Sequence, residues 1–497
     1  MSPADLLHAA GLALPAGITN DLVGDVRYDS RRVRKGDVFV AVDGTATDGH
    51  LHVEAAARAG AVLAVVERPV IGLPYILVPS TRVTLADLAA ARFGFPASAL
   101  HVTGVTGTDG KTTSVYLLAH VLDGLGRKTG LLSTVAIKVG DRWEDNLARQ
   151  STLESPEVQS ALATMAAAGV NDAVVEATSH GLALQRVRRC AFDAALITNV
   201  TSEHLEFHGT REQYLAAKGL LLDALRDREG KRGGPVAAIN LDDAGSASLI
   251  PRSPVDVVTF GLTAEARVRA VDVRSDAGGS TFAVKVDGAS YSAHTRLPGL
   301  FNVSNCLGVL ALVYARGFAL DRAAAQLETF AGVPGRMRRV DAGQPFLVVV
   351  DYAHTAASLE KVLLTLRPLV TGKLIVVFGS AGDRDREKRP VMGEVAARLA
   401  DFSILTDEDP RLERPEDILR EIAGGAIRAG AREGMDFDCI ADRKTAIFRA
   451  IAQASSGDVV LLAGKGHERS MLRGGESLPW DEEATAREAL RSHGYGR

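Results

Sequence analysis

Residues 101–113 read HVTGVTGTDGKTT. Val102, Thr103 and Val105 suit a buried strand, and the apolar run Val115–Leu125 has the length and spacing of a helix. Between them stand Gly104, Gly107 and Gly110, then Lys111, Thr112 and Thr113. Strand, glycine loop and helix in that order describe a phosphate cradle. Glycines let backbone N–H groups turn inward around a polyphosphate, and a helix N-terminus adds a field that favours anions. Lys111 is then placed to reach the outer phosphates, and the Thr112 hydroxyl to meet a magnesium ion. The usual spacing puts a glycine at the position held here by Val105, so the match is to a shorter loop, Gly107-Thr108-Asp109-Gly110-Lys111-Thr112-Thr113. An ordinary glycine turn is the plainer alternative; Gly-Lys-Thr-Thr opening the helix argues against it.

Downstream, the apolar runs Asp172–Glu176, Ala194–Asn199 and Val236–Asn240 each end in a polar residue. Ligands of parallel sheets collect at the carboxyl ends of strands, so these tips are candidate site positions. Glu176, one strand from the phosphate loop, is well placed for magnesium. The next tip carries Asn199 and the run Ser202-Glu203-His204-Leu205-Glu206-Phe207-His208-Gly209. One loop histidine is usually a solvated residue; acids and histidines at two tips beside a phosphate loop favour a site. Lys218 lies in the helical frame YLAAKGLLL and reads by itself as a snorkelling lysine. The stretch Val268–Leu297, with its Gly278-Gly279 turn, looks antiparallel, and Ala161–Ala168 looks like plain helix.

Upstream, Val38–Val42 and Ala61–Val66 read as buried strands around a helix at His52–Ala59, with a boundary near Phe93–Ser98. A last segment opens near Val333-Pro334-Gly335, with strands at Phe346–Asp351, Leu374–Phe378, Phe402–Thr406 and Val459–Ala463, a second open α/β sheet. Its tips are Asp351-Tyr352-Ala353-His354, Phe378–Asp385, Thr406–Arg411 and Gly464-Lys465-Gly466-His467-Glu468. Such a rim carries both signs of charge and suits a zwitterion better than a phosphate. Solvated turns are the alternative there.

A chain of 497 residues exceeds one core, and length suggests roughly three domains. Hydrophobic content of 46% and charged content of 24% are ordinary for a soluble enzyme. A net charge of −4 argues against a nucleic-acid partner. Cys190, Cys306 and Cys439 are scattered and suggest neither a disulfide frame nor a zinc site. With no signal-peptide pattern and no apolar run of roughly 18 residues, a cytoplasmic, monomeric protein with no membrane partner is expected.

The motifs TGTDGKTT, EATSHGL, TNVTSEHLEFHG, YLAAK, LPGLFNVSN, VPGRM, DYAHT, FGSAGDRDREKRP and GKGHE, with YDSRRVRKGDVFVA and DGH near the start, occur in the order found in the Mur ligases. The chain resembles that family over nearly its whole length, and most of all the members that add a diamino acid to UDP-N-acetylmuramoyl-L-alanyl-D-glutamate with ATP. The resemblance implies an α/β chain of three domains. These are a UDP-muramoyl-binding domain over 1–96, a central P-loop ATPase domain with a parallel sheet over 97–332, and a Rossmann-like domain for the incoming amino acid over 333–497.

Carried onto these residues, the resemblance gives Ser30 to the UDP end of the substrate. It gives Ser151, Thr152, Thr178 and Arg186 to the muramoyl peptide, and Gly107–Thr113 to ATP. Thr112, Glu176 and His204 would help hold magnesium. Lys218 would take up carbon dioxide and, as a carbamate, ligate a second magnesium, which reverses the snorkelling reading. Asn302, Arg336 and Asp351 are implied nucleotide contacts, the last two through domain closure. Arg389, Glu408, Asp409, Arg411, Gly464 and Glu468 match the amino-acid pocket.

Departures from the family pattern are informative. Asp109 replaces a common asparagine, Glu203 a common aspartate, Ala356 a proline, and Ser380-Ala381 a Cys-Gly pair. Members that take meso-diaminopimelate commonly show Asp-Asn-Pro-Arg where this chain has Glu408-Asp409-Pro410-Arg411. An anionic Asp409 should repel the far-end carboxylate of diaminopimelate and attract a bare ammonium, whereas Arg411 pulls the other way. Lysine or ornithine is therefore the expected substrate. The rival readings are a folylpolyglutamate-synthase-like ligase, a P-loop phosphotransferase, and a nucleotide-binding regulatory protein without catalysis.

Overall fold

The computed structural model describes residues 2–15, 24–44, 47–148, 150–201, 203–228, 231, 233–276 and 278–496; Ser202 of the histidine loop lies outside them. The chain divides into two compact units, one of residues 1–272, 282–293 and 304–328, the other of 273–281, 294–303 and 329–497.

The first unit opens with four parallel strands in chain order, Val26–Arg27, Val38–Val40, Leu63–Val66 and Tyr75–Leu77. The expected helix at 52–59 is Val53–Ala59, preceded by a 3-10 turn, Gly49–His52. A longer helix, Thr81–Arg92, is capped by the Ser80 hydroxyl accepting from the Val83 N–H. It buries Leu85, Leu88 and Ala91 against these strands.

An eleven-stranded sheet follows, in the order Ala289–Thr295, Gly279–Val286, Val268–Asp276, Val257–Gly261, Val236–Asn240, Ala194–Ile197, His101–Thr106, Asp172–Glu176, Thr129–Leu132, Ala136–Val139 and Arg142–Asp145. The phosphate-loop strand His101–Thr106 lies between Ala194–Ile197 and Asp172–Glu176 and runs parallel to both. Thr106 pairs with Ile197, and Val105 with Glu176, so the three tips emerge side by side. These strands are covered on both faces, which is why they read as continuous apolar runs without alternation. The strand Asp172–Glu176 is buried throughout yet charged at both ends. Its first residue, Asp172, meets Arg127 at 2.8 Å, His101 at 3.5 Å, and Arg316.

The second unit carries six strands in the order Arg338–Val340, Leu347–Asp351, Val459–Ala463, Leu374–Phe378, Phe402–Leu405 and Phe437–Cys439. Only the first pair is antiparallel. Helices bury one apolar cluster on each face, around Leu363, Phe378 and Ile422 on one and Ile447, Leu462 and Leu490 on the other. With its strands parallel, this sheet aligns the four expected polar tips along one edge. Cys190 and Cys306 are buried and Cys439 is exposed. Among the described residues no helix is long and apolar enough to cross a membrane.

Candidate active site

The phosphate loop is fixed by its neighbours. Gly110, at φ +80°, begins the helix Lys111–Gly124, and a Cβ there would lie 2.2 Å from Asn305 Oδ1. Only glycine tolerates both the left-handed backbone and that approach. The Asp109 N–H donates to Asn199 Oδ1 at 2.9 Å and the Thr108 N–H to the Asn199 carbonyl at 2.7 Å. Thr108 Oγ1 lies 2.9 Å from the Tyr214 hydroxyl and accepts from the Thr201 N–H at 3.0 Å. Lys111 Nζ donates back to the Gly107 and Thr108 carbonyls at 3.0 and 2.8 Å, so its charge rests in the loop.

Glu176 is buried at the adjoining tip. Its carboxylate accepts from the Thr112 hydroxyl at 3.0 and 3.1 Å, and from the N–H and hydroxyl of Thr134 at 2.9 and 3.1 Å. His204 is less embedded: its backbone is left-handed (φ 56°) and its side chain 43% exposed. Its ring stands 3.7 Å from Glu203, 3.3 Å from Glu206, and edge-on to His180 with centroids 4.8 Å apart. His180 stacks on Phe207, and burial beside His204 and His208 pushes its pKa down to about 4, so it is neutral at pH 7. Among the described residues no group of three or more His, Cys, Asp and Glu gathers as a metal cage. The Thr112 hydroxyl and Glu176 carboxylate are nonetheless the hard oxygen donors that magnesium uses alongside phosphate oxygens, so the residues fit that ion.

Lys218 does not snorkel. It is 1% exposed on the helix Arg211–Asp223, its Nζ donates to the Gly107 carbonyl at 2.6 Å, and it sits 4.5 Å from the Tyr214 ring centre. The Gly107 carbonyl thus accepts from both lysines. Burial first, then the charge of Lys111, pulls the Lys218 pKa well below its ordinary value. Neither Tyr214 nor Asn305 was singled out from the sequence, because an aromatic and an amide on helices carry no motif of their own.

The expected peptide-binding residues converge on the same tip. Thr152 Oγ1 donates to the Glu176 carbonyl at 2.9 Å and lies 3.0 Å from Thr178 Oγ1. Arg186 reaches the Thr152 carbonyl at 3.2 Å and pairs with Glu154 at 2.7 Å. Ser151 is half-buried beside Thr152. Ser30 opens the 3-10 turn Ser30–Arg32, whose Arg32 meets Glu157 at 3.1 Å.

In the second unit, Asp351 is buried with both oxygens engaged, by the Met337 N–H at 2.7 Å and the Ala353 N–H at 2.8 Å; burial raises its pKa. Arg336 lies over the Tyr352 ring at 4.7 Å, and Tyr352 stands 5.1 Å from His467. Asn302 donates to the Pro298 carbonyl at 2.9 Å. Arg389 is fully buried between Glu413 (2.8 Å) and Glu421 (2.9 Å), so its charge is already met.

Asp409 departs from the expectation of a free, repelling anion. Its Oδ1 accepts from Lys465 Nζ at 2.8 Å and from the Leu472 N–H at 2.9 Å. Lys465, wholly buried, also donates to Glu468 at 2.6 Å. A lysine between glycines reads as a solvated turn, and only the fold reveals that it is enclosed. Arg411 adopts φ 55°, exchanges backbone hydrogen bonds with Leu472 and Gly474, and leaves its buried Nε without a partner. Glu408 is buried, its Oε2 likewise unpartnered, against Gly464.

Residues 23–92 match the Mur ligase family, catalytic domain; 105–313 match the Mur ligase middle domain; and 335–466 match the Mur ligase, glutamate ligase domain. The chain belongs to the Mur ligase family. This Mur ligase is 47% identical over 489 residues, 96% of each chain, to a UDP-N-acetylmuramyl-tripeptide synthetase of Roseiflexus sp. (strain RS-1). It is 41% identical over 490 residues, 98% of this chain and 99% of the other, to a UDP-N-acetylmuramoyl-L-alanyl-D-glutamate–2,6-diaminopimelate ligase of Geobacillus kaustophilus (strain HTA426). A solved structure of a ligase with that same diaminopimelate name superposes with a TM-score of 0.70 at 30% identity, covering 99% of both chains. The Mur ligase fold and ATP-dependent ligase activity in UDP-MurNAc-peptide synthesis follow, with relatives of the MurE type.

Proposed function

We propose that this Mur ligase joins L-lysine or L-ornithine, in preference to meso-diaminopimelate, to the glutamyl carboxylate of UDP-N-acetylmuramoyl-L-alanyl-D-glutamate. One observation carries the reading. The Glu176 side chain bonds to Thr112 of the phosphate loop while its main-chain carbonyl accepts from Thr152 of the peptide cluster. Groups suited to ATP and groups suited to an acyl acceptor therefore share one strand tip. Residues 1–96 would hold the UDP end, 97–332 the nucleotide, and 333–497 the incoming amino acid.

A carboxylate is a poor electrophile, so it is first phosphorylated by ATP. Lys111 stabilises the charge that moves with the phosphoryl group, and the loop N–H groups hold the remaining phosphates. Thr112, Glu176 and His204 would hold magnesium, which supplies further charge neutralisation to the phosphates. Burial and the charge of Lys111 pull the Lys218 pKa down and so favour its neutral amine, the form that would add to carbon dioxide: the nitrogen bonds to the carbon, a proton leaves, and a carbamate anion results. Arg186 and the Thr152–Thr178 pair orient the peptide. The amine of the diamino acid then attacks the acyl phosphate, and the tetrahedral adduct expels phosphate to leave an amide. Exclusion of water protects the acyl phosphate from hydrolysis.

For the amino acid, the support is Asp409, which stands where a diaminopimelate site would place a neutral amide; Lys465 is shared between Asp409 and Glu468, so the three together keep a net negative charge that favours an ammonium over a second carboxylate. Phosphate release with ATP, magnesium and the UDP-muramoyl dipeptide, with lysine, ornithine and meso-diaminopimelate supplied in turn, tests the proposal. Release with lysine or ornithine and a matching gain in product mass is expected. Release with diaminopimelate alone would overturn the preference, and release with none would overturn the ligase assignment to this substrate.

A further inference from the structure

We infer that Asp87 is a positioning residue for the acyl substrate: it braces Arg188 and Arg189, and so fixes the loop that aims Arg186 at the muramoyl peptide. This rests on the reading of Arg186 as a peptide contact and adds what holds that side chain in place.

Asp87 lies on the helix Thr81–Arg92, which packs on the first four strands, and its side chain is 13% exposed. A single oxygen, Oδ1, accepts from Arg188 Nε at 3.0 Å and from Arg189 Nε at 2.6 Å. Hydrogen bonds between ionised partners are stronger than neutral ones, and partial burial spares them much of the screening that weakens surface pairs. Without this carboxylate, Arg186, Arg188 and Arg189 would be three cations within four residues.

The loop needs such a brace. Gln185, Arg189 and Ala191 stand at φ 60°, 62° and 45°. That left-handed region costs a residue with a side chain about 1 kcal/mol or more, and it persists only where the surroundings over-determine it. Val187 and Cys190 are buried, so apolar packing holds those two, and Asp87 holds the two residues between them. Packing alone leaves the loop incomplete. A cavity of about 230 Å³ adjoins it, lined by Gln185, Arg188 and Arg189 on the loop and by Leu220, Asp223 and Asp227 on the segment after Lys218.

Arg186 is two residues from Arg188. Its guanidinium meets Glu154 at 2.7 Å and the Thr152 carbonyl at 3.2 Å, while its buried Nε has no partner. The first strands grip the other side of this cluster as well. Tyr28 donates to Glu157 at 3.3 Å and Arg32 at 3.1 Å, on the helix Ser155–Ala167 that Glu154 precedes. Both segments that carry the peptide contacts are therefore held from residues 1–96. The part of the chain assigned to the UDP end sets the geometry met by the peptide end.

The test compares the affinities of UDP-N-acetylmuramoyl-L-alanyl-D-glutamate and of UDP-N-acetylmuramate, which lacks the dipeptide, by calorimetry. Asp87→Asn should weaken the dipeptide ligand by about fivefold or more, the lower end of a coupling between sites. It should leave the ligand without dipeptide within about twofold of wild type. In an Arg186→Ala background, Asp87→Asn should add less than about twofold, because residues that act through one another are not additive. Arg189→Gly removes one arm of the brace and relieves the left-handed strain together, so it guards against misfolding; it should weaken the dipeptide ligand selectively too. Equal losses for both ligands, as a merely loosened fold would give, overturn the inference. So do an undiminished effect of Asp87→Asn beside Arg186→Ala, and unchanged dipeptide affinity in both Asp87→Asn and Arg189→Gly. An Arg186→Ala variant that binds the dipeptide ligand normally would remove the peptide-contact reading of Arg186, and the inference with it.

Discussion

The Thr112 hydroxyl is shared between both oxygens of Glu176, at 3.0 and 3.1 Å. That contact exists because Val105 and Glu176 are paired across parallel strands and the loop beyond Val105 turns directly into the helix. Glu176→Gln keeps the shape and removes the charge. Ligation should fall by about 10²–10³-fold, the usual effect of losing an electrostatic group at a phosphoryl-transfer centre. ATP affinity measured without divalent cation should stay within a few-fold of wild type. Near-normal turnover in this variant would remove Glu176 from the chemistry.

Lys218→Ala should abolish most activity, by about 10²-fold or more if the anion formed there works as an electrostatic group. Short carboxylic acids such as formate or acetate should restore part of it by occupying the vacated space. Restoration by neutral amides of the same size, or none by the acids, would show that the lysine works as a packed amine against Tyr214.

Gly110→Ala adds a methyl group where Asn305 Oδ1 stands 2.2 Å away and forces a left-handed alanine. The strain should cost about 1–3 kcal/mol. It should appear as a lowered midpoint in urea unfolding and as weaker nucleotide binding. Asn305→Ala in the same chain relieves the clash but not the backbone, so it should recover only part of the loss.

The Arg389–Glu413 pair gives a pH signature. The Arg389 guanidinium holds the Glu413 carboxyl down to about 2, against an ordinary value of 4.5. A depressed acid stabilises the fold above its unfolded pKa, and that contribution fades as pH falls toward the folded value. Wild type should therefore exceed Glu413→Gln in thermal midpoint at pH 7, and the gap should narrow from about pH 4.5 to about pH 2. A gap independent of pH across that window would mean the glutamine is simply a poorer packing partner.

Much of this architecture was legible in the residues. Strand tips ending in Glu176, Asn240 and Asp351 were found because strands buried on both faces show as unbroken apolar runs. The three-stranded antiparallel meander of Thr129–Leu132, Ala136–Val139 and Arg142–Asp145 was not anticipated, since short strands with glycine and exposed charges lack that signal. Lys218 was misjudged on physics alone: a lysine in an apolar helical frame reads the same whether its head reaches water or turns inward. Asp409 is expected as a site residue from its motif, but its charge depends on Lys465, 56 residues away in sequence, and the pairing exists only once the two strands lie in one sheet. Motifs reveal which side chains are present; which charges cancel is a property of the fold.

The strand Asp172–Glu176 is a gauge of fixed length. Its lower end is pinned by Arg127 and Arg316, and its upper end by Thr112 and Thr134. Slippage by one residue along either neighbour would drag one carboxylate into the hydrocarbon interior and strand the other's partners. The height of the Glu176 carboxylate above the sheet is therefore set from underneath, by an arginine clamp at the far side of the layer. A lengthened or shortened segment at this place could not be absorbed locally, in contrast to the loops around it, and an enzyme rebuilt for a new acyl acceptor would have to leave these five residues as they stand.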